Sequence, residues 1–374
     1  MHEVDLSRMR AAVKCPLRLP PNRVRRTYKG GALLEAFRGY PHPSDDWYPE
    51  DWVASVVLSR TRVHPTEGIS MVSDGENEWV LRDLIEAFPD EMLGVEHVRR
   101  FGATTRLLIK LIDSSTRLRI QVHPTRSKAK ELLNSEYGKT ESWVVLATRE
   151  LIGENPYLLL GFKEGVSADD FRKVVLSQEE EKLIDMLHRV EVRPGDVFFV
   201  RAGMPHAIGP GVFMVELQEP SDHTIYVEPE GDDLLAEGDA NNLGLGWDAA
   251  FECFEFTGLS RKQMMEQCKI PPRALTNEAA GQIEDVLYGQ DIESYFSAKR
   301  LRVLRSIEVQ SDGFCAAVIL EGTGEIVGSG FKLRVVKGDT LFLPAGLTKY
   351  EWCSDDAEVP LEIITCHPPR SRFA

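Results

Sequence analysis

The chain has 374 residues, 43% hydrophobic and 28% charged, which describes a globular protein with room for two or three domains and sizeable cores. Its formal net charge of −15 argues against nucleic acid or an anionic membrane as a partner, so an anionic substrate must be held by locally gathered cations. No apolar run approaches the ~20 residues of a membrane span, and the N-terminus "MHEVDLSRMRAAVKCPLRLPP" lacks the apolar stretch of a secretory signal. The six scattered cysteines form no C-x-x-C pair, which predicts reduced thiols and a cytoplasmic location.

In chain order, "SDGENEWVLRDLIEAFPDEMLG" carries Val80, Leu81, Leu84, Ile85 and Phe88 at the spacing of one helix face. "RLLIKLI" and "LRIQVH" follow as strands, then "SKAKELLNSEYG", a short helix opening on Ser127. "SWVVLAT" and "YLLLGF" are strands. "SADDFRKVVL" and "SQEEEKLIDMLH" each place an acidic residue three positions after a serine, a capping-box pattern that predicts two helices. "DVFFVRAG" and "GVFMVELQ" are strands again. Beyond Arg300 come short apolar strands punctuated by glycine: "LRVLRSIEVQ", "FCAAVILEGTGEIVG" and "KLRVVKGDTLFLPAG". Strands so closely spaced predict a mainly β chain built as a sandwich or barrel.

"PGDVFFVRAGMPHA" (194–207) and "KGDTLFLPAGLTKY" (337–350) align without a gap, which implies two related β-domains. His206 of the first copy meets Lys349 in the second, and lysine at neutral pH is a poor metal ligand. Only the first copy is expected to hold an ion.

In "RLRIQVHPT", strand alternation projects Arg117, Arg119, Gln121 and His123 to one side and Leu118, Ile120 and Val122 to the other. Downstream, Glu141 opens a strand in "YGKTESWVV", and His206 lies in "AGMPHAIG". Two imidazoles, a carboxylate and an amide oxygen suit a divalent ion of borderline softness, zinc first, with a position left for water or substrate. Each residue alone has a plainer reading: His206 as a turn cap, Glu141 as half of a surface ion pair.

"LLIKLIDSSTRLRIQVHP", "YGKTESWVVL", "YLLLGF", "AGMPHAIGPGVFMVELQEPSD" and "KGDTLFLPAG" together resemble the short bacterial form of class I mannose-6-phosphate isomerase. "PGDVFFVRAGMPH" also resembles the second motif of the wider cupin superfamily. Upstream, "YKGGALLEAF", "EDWVAS" and "HPTEGIS" resemble further motifs of the isomerases, in order. The resemblance implies two cupin (jelly-roll) domains with helical insertions: a metal-binding one over residues 1–250 and a metal-free one over 251–374. It implies one Zn2+ per chain, held by Gln121, His123, Glu141 and His206, and a small-molecule sugar phosphate as the partner. The oligomeric state is left open.

The reaction so implied interconverts mannose 6-phosphate and fructose 6-phosphate through an enediol, with the metal as Lewis acid. The family's polar residues carry over onto Lys110, Lys139 and Asp222. Lys139 is a candidate base or phosphate clamp, and Asp222 a candidate orienter of substrate hydroxyls or of a lysine. Three positions depart from the pattern. Tyr226 replaces an arginine four residues after the aspartate, Arg119 replaces a serine two before the metal glutamine, and Arg201 replaces a proline. The loss of arginine at 226 puts the phosphate contact in question, with Arg119 as a possible substitute. It keeps open two alternatives: a non-catalytic sugar-binding or regulatory cupin, and an isomerase of a different sugar. An iron-dependent cupin dioxygenase is disfavoured by Gln121.

Overall fold

The computed structural model describes residues 3–151, 153–228 and 241–370. Two antiparallel jelly rolls dominate it. The first comprises β1 (Leu108–Ser114), β2 (Gln121–Val122), β3 (Glu141–Thr148), β4 (Tyr157–Phe162), β5 (Leu187–Glu191), β6 (Val197–Val200), β7 (His206–Ile208) and β8 (Val212–Gln218). The second comprises β9 (Ser297–Val303), β10 (Ser306–Gln310), β11 (Cys315–Glu321), β12 (Thr323–Gly328), β13 (Phe331–Val336), β14 (Thr340–Leu343), β15 (Lys349–Ser354) and β16 (Leu361–His367).

Within the first roll one sheet runs β6-β3-β8-β1 and the other β5-β4-β7-β2. The second roll repeats both orders with its own strands, β14-β11-β16-β9 and β13-β12-β15-β10. The gapless sequence repeat is therefore the β6–β7 unit set against the β14–β15 unit. Its shared Gly-Asp turns place Gly195 and Gly338 at the same φ of 89°, a left-handed conformation that only glycine adopts without strain.

Strand β4 is buried on both faces, which is why "YLLLGF" is apolar without alternation, whereas the β13-β12-β15-β10 sheet turns one face to solvent and its strands alternate. Leu158 and Leu160 point into the first roll beside Trp143, Phe198 and Met214. Leu159 and Phe162 point outward beneath the helical insertion, against Phe171, Leu183 and Phe251. The β6-β3-β8-β1 sheet of the first roll packs against the β14-β11-β16-β9 sheet of the second. Val144, Phe199, Val215 and Leu217 of the first roll share one cluster with Phe296, Ala316, Phe342 and Ile364 of the second. Strand Leu17–Arg18 pairs with β14, so N-terminal residues extend the second roll's sheet. All six cysteines are free, and no helix among the described residues is long and apolar enough to cross a membrane.

Several local expectations change. The helix at 167 is capped as expected, Ser167 accepting from the Asp170 amide. Ser177 caps nothing; it is the last residue of that helix, and the next (Glu180–Asp185) has Glu179 at its N-cap without a side-chain bond. Thr125, not Ser127, caps the helix Arg126–Leu133. The alternation in "RLRIQVHPT" also fails before residue 119. Leu118 joins the inner cluster whereas Ile120 and Val122 lie outside. Arg117 leaves the site face to pair with Glu228 at 2.7 Å. The cause is Glu228, whose carboxylate takes the Ile120 amide as well as the Arg117 guanidinium and so replaces a regular ladder contact.

Candidate metal centre

Gln121 and His206 are direct partners across the β2–β7 pair, which puts their side chains on the same face. His123 stands on that face one residue beyond β2, and Glu141 begins β3 in the opposing sheet. The strands thus deliver all four side chains into the roll, where His123, Glu141 and His206 are each 1% exposed and Gln121 is 7% exposed.

Backbone carbonyls fix the imidazoles. His123 Nδ1 lies 2.9 Å from the His223 carbonyl and His206 Nδ1 lies 2.9 Å from that of Met204. A carbonyl only accepts, so each Nδ1 carries the hydrogen and each Nε2 presents its lone pair. Those Nε2 atoms stand 3.1 and 3.5 Å from the Glu141 carboxylate. Burial, reinforced by the Lys139 charge, pushes His123 down to about 3, and burial likewise lowers His206, so both rings are neutral at pH 7. Burial opposes the charge on Glu141, but Lys139 overcomes it and holds the carboxyl well below the usual range.

The donor set fits a divalent cation. The ligand atoms of His123, Glu141 and His206 lie within 4.8 Å of one another, and both buried Glu141 oxygens lack a hydrogen bond. The Gln121 amide, its nitrogen 3.2 Å from His206 Nε2, turns its oxygen to the same point by a half rotation. Two nitrogens and hard oxygens with no thiolate suit a catalytic rather than a structural zinc site.

Lys139 adjoins this centre, its Nζ 3.0 Å from Glu141, 3.2 Å from His123 Nε2 and 3.3 Å from the Thr224 hydroxyl. Lys110, Arg119, Gln121, Lys139, Glu141 and Tyr226 line one narrow cavity of about 20 Å³. Lys110 pairs with Glu216 at 3.0 Å. Asp222 does not line that cavity; it is buried against Arg26 at 3.1 Å and accepts from the Arg60 amide. Burial opposes its charge, yet Arg26 and Lys110 keep the carboxyl below its ordinary value. Arg119 lies over the Tyr226 ring, 3.9 Å from its centroid, and donates to Asn241. Among the described residues no carboxylate is within ion-pair distance of Arg119. Arg201 lies outside, half-exposed, and pairs with Asp291.

Sequence reasoning missed Glu216, Glu50, Arg26 and Tyr28, which line the same cavity. Burial and the nearby Glu141 push Glu216 up to about 7, while Lys110 pulls it the other way. A signal existed: a glutamate inside "VFMVELQ" is costly unless it faces a polar interior.

No family model matches the chain. Over 247 residues it is 30% identical to mannose-6-phosphate isomerase ManA of Bacillus subtilis, covering 66% of this chain and 71% of the relative. The crystal structure of mannose 6-phosphate isomerase from Bacillus subtilis superposes with a TM-score of 0.71 at 25% identity, covering 94% of this chain and 99% of that one. A mannose 6-phosphate isomerase crystallised with zinc and yttrium shares the fold, with a TM-score of 0.67 at 15% identity over 95% of this chain and all of the other.

Proposed function

The chain belongs to the mannose-6-phosphate isomerase family and is an aldose–ketose isomerase; from that premise we propose that it interconverts mannose 6-phosphate and fructose 6-phosphate with one zinc ion bound by Gln121, His123, Glu141 and His206. The observation that carries this reading is the convergence of two carbonyl-fixed Nε2 lone pairs on a buried carboxylate that has no hydrogen bond. The related enzyme crystallised with zinc supports the choice of metal. In this proposal residues 1–250 form the metal-binding unit and residues 251–374 the metal-free one.

A zinc ion held by Gln121, His123, Glu141 and His206 would supply Lewis acidity for the negative charge that grows on the substrate oxygens as the proton leaves carbon. Lys139, acting as the free amine, is the group we assign to taking that proton from one of C2 and C1 and returning it to the other, because it borders the ligands from inside the cavity. Lys110 and Glu216, held together at 3.0 Å, present a donor and an acceptor to the sugar hydroxyls. Asp222 acts through Arg26, fixing the guanidinium that lines the cavity. Arg119 is the cation we assign to the phosphate. A cavity of about 20 Å³ admits a water and no sugar, so substrate entry requires lining side chains to move.

Tyr226, in place of the family arginine, favours a second reading, isomerisation of a different sugar. Metal analysis combined with an aldose–ketose assay separates the two. About one zinc per chain with turnover of mannose 6-phosphate supports the first reading. Turnover confined to an unphosphorylated sugar supports the second, and equal rates with and without metal overturn both.

A further inference from the structure

The register of the second roll reproduces the first position by position. Gln121 opposite His206 is matched by Gln310 opposite Lys349. Glu141 opposite Val200 is matched by Cys315 opposite Leu343. Lys110 opposite Glu216 is matched by Lys299 opposite Thr365. The ligand set is gone, since Lys349 turns outward to Glu308 at 2.9 Å with its side chain 64% exposed. The cavity is not. Where the first roll keeps about 20 Å³, the second keeps about 520 Å³.

Two donors on its wall are left without acceptors. Trp352 is fully buried and its Nε1 has no hydrogen-bond partner, whereas the buried indoles of the first half, Trp52 and Trp143, donate to Glu50 and Glu216 at 2.7 and 3.0 Å. The half-buried Lys299 side chain makes no ion pair or hydrogen bond among the described residues, because the position that holds Glu216 in the first roll holds Thr365 here. A buried N–H without a partner is costly and rare in native structures, and the Trp352 indole lies just behind the cavity wall, where a bound ring alters its surroundings. The lining carboxylates do not compete: Glu308 is paired with Lys349, Glu96 with Arg99, and Asp312 is exposed at the rim. The remaining wall is aromatic, with Phe314 and Tyr350 buried and Phe101 beside them.

We propose that this second-roll cavity is a binding site for a small ring-bearing organic anion, with its phosphate or carboxylate on Lys299 and its ring against Phe314 and Tyr350, beside the buried Trp352 indole. The volume falls in the range of small-molecule sites, and an aromatic wall with a few fixed polar groups is their usual lining. The site is separate from the metal centre and stands independently of the isomerase reading.

The test is the indole N–H spectrum of the full-length 15N-labelled protein, with the Trp352 resonance identified by its loss in Trp352→Phe. The probes are glucose 6-phosphate, glucuronate, glucose and inorganic phosphate. A saturable shift of the Trp352 resonance with glucose 6-phosphate or glucuronate, absent with glucose, is expected; which anion acts tells phosphate from carboxylate. Lys299→Met should weaken that binding about 10-fold or more. Should Trp352→Phe not fold, the difference in calorimetric titrations between wild type and Lys299→Met reads the same contact. The proposal fails if no probe moves Trp352, if only the Trp52 and Trp143 resonances move, if Lys299→Met binds as well as wild type, or if inorganic phosphate alone gives the whole effect.

Discussion

His206 and Lys349 occupy one register position in two rolls: each is the first residue of its strand, and each pairs across the sheet with a glutamine, Gln121 or Gln310. The imidazole is buried at 1% exposure, while the lysine reaches solvent. One duplicated scaffold thus carries a ligand in one copy and a surface ion pair in the other. Lys349→Ala should leave the isomerisation rate nearly unchanged and cost within roughly 0.5 kcal/mol, because exposed pairs contribute little. Denaturant unfolding and a turnover assay check both numbers; loss of turnover with the fold intact would show that the second roll supplies a catalytic group.

Arg26 is expected to be among the costliest single truncations near the site. It is buried between Asp222 and Glu50, at 3.1 Å from each. Arg26→Met leaves two buried carboxylates without their shared cation, and breaking such a pair costs about 3–5 kcal/mol. The readout is the urea midpoint at neutral pH. A change of only a few tenths would show that Lys110 and solvent compensate.

Acid should destabilise the metal-free protein through its histidines. His123 is held down to about 3 in the folded state, against about 6.5 in an unfolded chain. The unfolded state therefore binds more protons between those values. This contribution is complete above pH 6.5 and lost as pH falls toward 3, by up to ~1.4 kcal/mol per pH unit per group. His206 adds in the same direction, and Glu216, pushed up to about 7, works in the opposite one between about 7 and 4.5. The histidine contribution is therefore read as a difference: the stability measured in unfolding curves of chelator-treated protein from pH 7 to 4 should rise more steeply with pH in wild type than in His123→Gln. An equal slope in that variant would place the pH dependence elsewhere.

Arg119 and Tyr226 should behave as a coupled pair. Their stacking at 3.9 Å brings the cation to the cavity that Gln121 and Glu141 also line. A charge-assisted contact to phosphate is worth roughly 1.5–3 kcal/mol, or about 10- to 150-fold. Arg119→Ser should lower kcat/KM for mannose 6-phosphate by about that factor and spare mannose. Adding Tyr226→Arg should restore part of the loss, giving a non-additive cycle. Equal losses on both sugars would remove Arg119 from phosphate binding.

What could be read from the sequence was what strand parity and chain order carry. Gln121 and His123 share a parity, Glu141 opens a strand, and the gapless repeat singled out His206 and exposed the second roll and its lysine. The polar shell was not legible, because it is assembled by pairings over long separations: Arg26 meets Asp222 across 196 positions. Parity itself misled at Leu118 and Arg117, where the Glu228 side chain, 108 residues from Ile120, replaces a ladder partner. Helix starts were legible where a serine had a free first turn after it, as at Ser167, and not at Ser177, which the preceding helix already contains.

The most direct measurement is the metal content and isomerase activity of wild type and His206→Ala, each purified without added metal. The geometry predicts about one zinc per wild-type chain and loss of most metal and all turnover in the variant, because an open site has few ligands to spare. His206→Ala protein that still carries stoichiometric zinc would contradict the assignment of the metal centre.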